Sequence, residues 1–275
     1  MFNKGLYYEV NGKGDPILFL HGIGGTHTMF QPQVDYFSQE FQTITVDLKG
    51  SGQSDSLNCL PSKCLDIHCE SILTLCHDLH LDNITLVGVS YGGIVAQHLA
   101  ITHPQLVDKL ILVDTYANTI PKSREEFELF LFAGFIAFSV WLPSKWIMPI
   151  FKRYERWELA HQEIVDIIQN RRAKEVTNQL MGCFGLNNLP ALAKLEIPVL
   201  GIVGDDEPLV IEKMREVIEP IPDGSLHIIK NAFDPTNLCQ PEQFNAVVDE
   251  FIRENLLRVP VTTRILSKMD SLVNG

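Results

Sequence analysis

The 275-residue chain has no apolar run long enough to cross a bilayer. Its greasiest stretch, LFLFAGFIAFSVWL from Leu129 to Leu142, is 14 residues without a charge, and a spanning helix needs about 18 or more. Positive charge is also scarce. The chain carries 22 Lys and Arg against 34 Asp and Glu, a formal net charge of -12, which opposes approach to phosphate backbones and anionic lipid. Neither nucleic acid nor a membrane surface is an expected partner. The first residues, MFNKGLYYEV, lack the apolar core of a secretion signal, so a cytoplasmic location is expected.

No close Cys-x-x-Cys pair occurs either. Cys59, Cys64, Cys69 and Cys76 crowd into one segment beside His68, His77 and His80, and Cys183 and Cys239 stand apart. Cys69 and Cys76 lie a heptad apart in a helical pattern, which suits reduced thiols packed on a sheet better than a metal site. No metal is expected, no motif implies a cofactor, and nothing in the residues sets an oligomeric state. What is present is ordinary for a globular protein: 45% hydrophobic and 20% charged residues, at a length that suits one domain with an insertion.

Short β-rich runs alternate with helical patterns at Leu6–Val10, Pro16–Leu20, Thr43–Asp47, Ile84–Val89, Lys109–Asp114, Pro198–Val203 and Leu226–Lys230. Several are continuous apolar stretches such as ILFL, LILV and VLGIV, as expected of parallel strands covered on both faces; the N-terminal part is expected to be antiparallel. The alternation stops over 116–188, where the pattern is helical. This predicts a core over 1–115 and 189–255, an inserted helical cap over 116–188, and a tail over 256–275 that forms a docked helix or a frayed end. Phe127, Phe130, Phe132, Phe135, Phe138, Trp141 and Trp146 make the cap aromatic. Those not used for packing, with Phe135, Phe138 and Trp141 as candidates, are expected to line an apolar pocket suited to a lipophilic acyl or ring-containing ligand.

Strand NITLVGV runs into Gly88-Val89-Ser90-Tyr91-Gly92-Gly93 and then into the helical pattern IVAQHLAITH. A serine between glycines at a strand-to-helix turn stands clear of the sheet, where its hydroxyl can act as a nucleophile. Upstream, His21-Gly22-Ile23-Gly24-Gly25 follows ILFL. There the N–H groups of Ile23 and Tyr91 are candidates for a two-donor oxyanion hole, with His21, Gly22 and His27 at the pocket. His27, six residues after His21, is also the one histidine placed to reach the pocket mouth and stand in as a base.

With DLKGSGQSD, HPQLVDKLILVD and PVLGIVGDDEP, these motifs resemble the α/β-hydrolase superfamily from Met1 to about Asn255, and within it the capped serine esterases and lactonases of the enol-lactonase or acyl-homoserine lactonase type. The resemblance implies an eight-stranded, mostly parallel sheet with helices on both faces. It assigns Ser90 as nucleophile and, three residues beyond Gly204, Glu207 as the acid, with Asp206 as the second choice. In place of the family's Ala-Gly-His, however, this chain reads Ala232-Phe233-Asp234. Asp234 thus stands where the histidine is kept, and Phe233 beside it is counted with the pocket.

A carboxylate has an ordinary pKa of about 3.9 where imidazole has about 6.5, and its side chain is too short to bond Ser90 and Glu207 together. Two carboxylates facing one another in a dry site would raise one pKa and restore part of the basicity. Three readings follow. The first is a serine hydrolase of small apolar esters or lactones, impaired or rewired at Asp234. The second is a non-catalytic ligand-binding or partner-binding member of the fold. The third is a lyase or cyclase using the Glu207 and Asp234 carboxylates.

Overall fold

The computed structural model describes residues 1–258. The tail expected over 256–275 lies outside the described residues from 259 onward, as do the side chains at 129, 130, 132, 133, 257 and 258.

Eight strands form one sheet: β1 (Phe2–Asn3), β2 (Leu6–Gly12), β3 (Pro16–Leu20), β4 (Gln42–Asp47), β5 (Ile84–Val89), β6 (Val107–Val113), β7 (Val199–Gly204) and β8 (Gly224–Ile229), in the order β1-β2-β4-β3-β5-β6-β7-β8. From β4 to β8 every neighbouring pair is parallel; β1 with β2 and β2 with β4 are antiparallel. The two-residue strand β1 has no counterpart among the sequence runs, being too short to show a pattern.

The continuous apolar runs divide by parity. Leu18 and Leu20 on β3, Leu86 on β5 and Leu110 and Leu112 on β6 face one core, while Ile17, Phe19, Val87, Val89, Ile111 and Val113 face the other. This is the period of two acting on a sheet buried on both sides. Among the core helices, α1 (Gln31–Phe37) covers one face, and α2 (Cys64–Asp78) and α3 (Tyr91–Thr102) cover the opposite face.

Between β6 and β7 the chain forms α4 (Arg124–Ser139), α5 (Ser144–Ile147), a 3₁₀ segment (Met148–Arg156), α6 (Glu158–Asn170), α7 (Ala173–Gly182) and α8 (Leu189–Leu192). An antiparallel bridge between Asn118 and Asn187 ties the two ends of this insertion together. Beyond β7, α9 (Pro208–Ile218) joins the α2 and α3 face, and α10 (Thr236–Cys239) and α11 (Pro241–Arg258) return to the α1 face. No described helix is long and apolar enough to cross a membrane.

Candidate active site

Ser90 occupies the single residue between β5 and α3, at φ 52° and ψ -114°. Such a left-handed conformation costs a non-glycine residue about 1–3 kcal/mol, so the surroundings must hold it. Ser90 N donates to Val113 O at 2.8 Å, Gly93 N donates to Ser90 O at 3.0 Å, and Thr115 Oγ1 donates to the same carbonyl at 2.8 Å. Close packing makes the turn possible: a Cβ on Gly92 would lie 2.1 Å from Leu20 O. The serine is thereby fixed where β3 ends.

The turn after β3 closes by Gly25 N donating to Gly22 O at 3.1 Å, with Gly24 at φ 71°. A positive φ at the third position is what a type II turn requires. This leaves Ile23 N–H without a turn partner, and Tyr91 opens α3, so its N–H has no intrahelical acceptor. A Cβ on Gly22 would come 3.5 Å from Ser90 Cβ, which puts the turn against the serine.

The Ser90 side chain faces the Asp234 carboxyl and favours its charged form. Both residues line a partly open cavity of about 180 Å³, which Gly22 and Ile23 also line. Apart from Ser90, Asp234, Glu163, Arg171 and Ser139, the wall is almost wholly apolar, with Met29, Val89, Ile136, Ile164, Ile168 and Leu180 among its members. Burial in this wall raises the Asp234 pKa well above that of an ordinary carboxyl, and the neighbouring Asp114 carboxylate raises it further; the Ser90 side chain pulls the other way.

Asp114 follows β6 directly, at φ 47°. Burial pushes its pKa up to about 6, against hydrogen bonds that favour its charged form. Thr236 N donates to Oδ2 at 2.7 Å, Thr236 Oγ1 to Oδ1 at 2.8 Å, and Gly204 N to Oδ1 at 3.4 Å. Asp234 has the serine hydroxyl alone by comparison, so of the two carboxyls Asp114 carries the charge and Asp234 the proton until the pH rises.

Other expectations need correction. Glu207 begins α9, with its carbonyl accepting from Val210 N and Ile211 N, and it is not among the residues lining the cavity. The carboxylate that acts on Asp234 is Asp114, at the end of the strand before the insertion. Asp206 ion-pairs with Arg153 and Arg156 of the insertion. A lyase built on Glu207 and Asp234 therefore has no geometric basis.

His21 is buried outside the cavity lining. Its Nδ1 donates to Gly22 O at 2.7 Å and its Nε2 accepts from Leu48 N at 2.9 Å, so the neutral ring joins the ends of β3 and β4. His27 is held away by Asp47, with Nδ1 2.7 Å from Oδ1, and by Glu9, 3.3 Å from Nε2. It is neither pocket residue nor base to Ser90.

Phe135, Phe138 and Trp141 are exposed, at 49%, 64% and 60%. The helix turns Ile136, Ser139 and Val140 into the cavity instead, a rotation that an aromatic composition cannot reveal. Phe233 lies against Tyr154, with ring centres 5.8 Å apart, and under the Arg153 guanidinium at 4.0 Å. It belongs to the joint between insertion and core, where Tyr154 Oη also donates to Asp234 O at 2.6 Å and Trp157 Nε1 to Asn231 O at 2.8 Å. The sequence reading missed Glu163 and Asp114. The second had a visible signal, a carboxylate ending the apolar run LILVD.

Residues 15–140 match the family described as the alpha/beta hydrolase fold. The chain is an α/β-hydrolase-fold protein. It is 25% identical to 3-oxoadipate enol-lactonase 2 of Acinetobacter baylyi, over 90% of this chain and 93% of that one. It is 23% identical to (E)-2-((N-methylformamido)methylene)succinate hydrolase of the same organism, over 91% and 95%. Among solved structures, a thermophilic esterase from Thermogutta terrifontis superposes with a TM-score of 0.74 at 26% identity, covering 91% of this chain and 93% of that one. These three align over 93% or more of their own length, and all three are named for hydrolysis.

Proposed function

We propose that the chain is a serine hydrolase of small carboxylic esters or lactones with an apolar acyl part, in which Asp234 replaces histidine as the proton acceptor. The observation that carries this is that Ser90 and the Asp234 carboxyl, whose pKa is raised, line one largely apolar cavity and act on one another there. A base works best when its pKa is near the working pH, and burial beside Asp114 moves a carboxyl towards that range.

In this mechanism ionised Asp234 takes the Ser90 proton as Oγ bonds to the substrate carbonyl carbon. The N–H groups of Ile23 and Tyr91 hold the resulting oxyanion. Collapse breaks the bond to the alcohol oxygen, which takes the proton back from Asp234 and leaves an acyl-serine. Water repeats the sequence, releasing the acid and restoring Ser90. For a lactone, the alcohol and acid stay on one opened molecule. The oxyanion donors act as they do in a His-based site, but no imidazolium charge forms in the transition state, so turnover is expected to be slow.

The cavity, at about 180 Å³, falls below the ~300–1,000 Å³ usual for drug-sized ligands, which favours compact substrates. A panel of short-chain activated esters, measured from pH 6 to 9 on the wild type and Ser90→Ala, tests the proposal. Turnover that rises with pH and is abolished in Ser90→Ala supports it. Turnover indifferent to Ser90 overturns it, and no turnover at any pH supports an idle binding pocket, the reading that the settled packing of Phe233 against Arg153 and Tyr154 favours.

A further inference from the structure

Glu163, on α6, is 8% exposed and lines the same cavity as Ser90 and Asp234. It stands over the turn after β3: the Thr26 backbone favours its charged form, and a Cβ on Gly25 would lie 3.3 Å from its Oε1. Among the described residues it has no cationic partner.

The charged and titratable groups that act on it are Asp166 on its own helix, with His27 and Asp47 of the core beyond the turn. Asp166 and Asp47 repel its charge; His27 favours it but is itself bonded to Asp47. The cation in the cavity wall, Arg171, is committed elsewhere. Its Nε donates to Val140 O at 2.7 Å and its Nη1 to Ser144 Oγ at 2.9 Å, with further bonds to the carbonyls of Leu142 and Ile168. Burial pushes the Glu163 pKa up to about 7, so above neutral pH the cavity holds a carboxylate with no counter-ion. A buried charge of this kind is costly unless a ligand supplies its partner.

Building on the hydrolase reading, we propose that Glu163 is a specificity residue that binds a protonated amino group on the substrate, so that the preferred substrate is a compact amino-acyl ester or amino-lactone and carboxylate-bearing substrates are refused. An ammonium group brings Glu163 the missing charge and hydrogen bond. A substrate carboxylate would meet Glu163 and Asp234 in a low-dielectric space, with Arg171 already occupied by carbonyls.

Two measurements at pH 8 test this, on the wild type and on Glu163→Gln, whose folding is checked by circular dichroism and Tm. The first is calorimetric binding of n-butylamine, butan-1-ol and butyrate, which needs no turnover. The second is kcat/KM for aryl esters of 6-aminohexanoate, hexanoate and adipate. A hydrogen bond to a charged group corresponds to a preference of about tenfold or more. The wild type is expected to bind the amine at least that much more tightly than the alcohol, to bind butyrate least, and to order the esters in the same way. Glu163→Gln is expected to lose the preference in both.

A wild type without amine preference, or a preference that survives in Glu163→Gln, overturns the proposal. Amine-selective binding without hydrolysis leaves it standing and removes the serine-hydrolase reading. Hydrolysis without amine preference does the reverse.

Discussion

Asp234 can serve as a base only in its ionised form, and the burial and Asp114 charge that raise its pKa also delay that form to higher pH. The acid side of the pH–rate profile should therefore lie well above the usual carboxylate range. Asp114→Asn removes the neighbouring charge while keeping an acceptor for Thr236. The expected outcome is a profile displaced to lower pH with a lower maximal rate, since a weaker base takes the serine proton less readily; an unmoved profile would show that Asp114 does not act on Asp234. Asp234→His makes the complementary change. It places a group of ordinary pKa about 6.5 between Ser90 and Asp114, and the carboxylate already fixed by Thr236 can orient the ring. Positioned acid–base catalysis contributes about 10²–10⁴-fold, so ester turnover at pH 7 should rise by something in that range, as a stopped-time chromogenic assay would show.

At the level of elements, two insertion helices bear on the turn that carries Ile23. A Cβ on Gly24 would meet Ile167 of α6 at 3.1 Å and Val176 of α7 at 3.6 Å, and its φ of 71° is unfavourable for any other residue. Gly24→Ala should therefore cost about 1–3 kcal/mol of stability through the strained backbone, and it should lower kcat more than it raises KM because Ile23 N–H is displaced. A denaturant melt and steady-state kinetics on one preparation separate the two effects. The turn was legible in the sequence because its glycines are local instructions, as was the elbow at Ser90. Strands β3, β6 and β7 were legible because a sheet covered on both faces demands unbroken apolar runs. The partner of Asp234 was not. Three acidic residues follow β7 and one follows β6, and choosing among them requires the spatial order β5-β6-β7-β8 and the Thr236 bonds to Asp114, neither of which spacing encodes. The rotation of α4, which turns Ile136 rather than Phe135 to the cavity, was hidden likewise, since the stretch from Leu129 onward has no charge to mark a polar face.

For the whole molecule, the buried titratable groups make folding stability depend on pH in two opposed ways. His21 and His68 are buried neutral, their pKa values lowered, that of His68 to about 3. The unfolded chain binds more protons at these two sites below about pH 6.5, so stability rises with pH up to that point. Asp234, Asp114 and Glu163 have raised values, about 6 and about 7 for the latter two. The native state then binds the extra protons, and stability falls as pH climbs from the unfolded carboxylate value through each folded one. His27, raised by Asp47, adds stability that is present below its unfolded value and lost as pH passes its folded value. Above about pH 6.5 the two buried histidines have nothing more to contribute, while Asp234, Glu163 and His27 still lose stability. Above that pH nothing among these groups offsets the loss, so Tm should decline from about pH 6.5 to pH 9. Asp234→Asn removes one of these late losses and keeps an acceptor for the Ser90 hydroxyl. Its Tm should exceed that of the wild type at pH 9, by a margin that shrinks as the pH is lowered, while ester turnover is abolished. Parallel melting curves of the two proteins across the range would contradict the raised pKa on which the catalytic role of Asp234 depends.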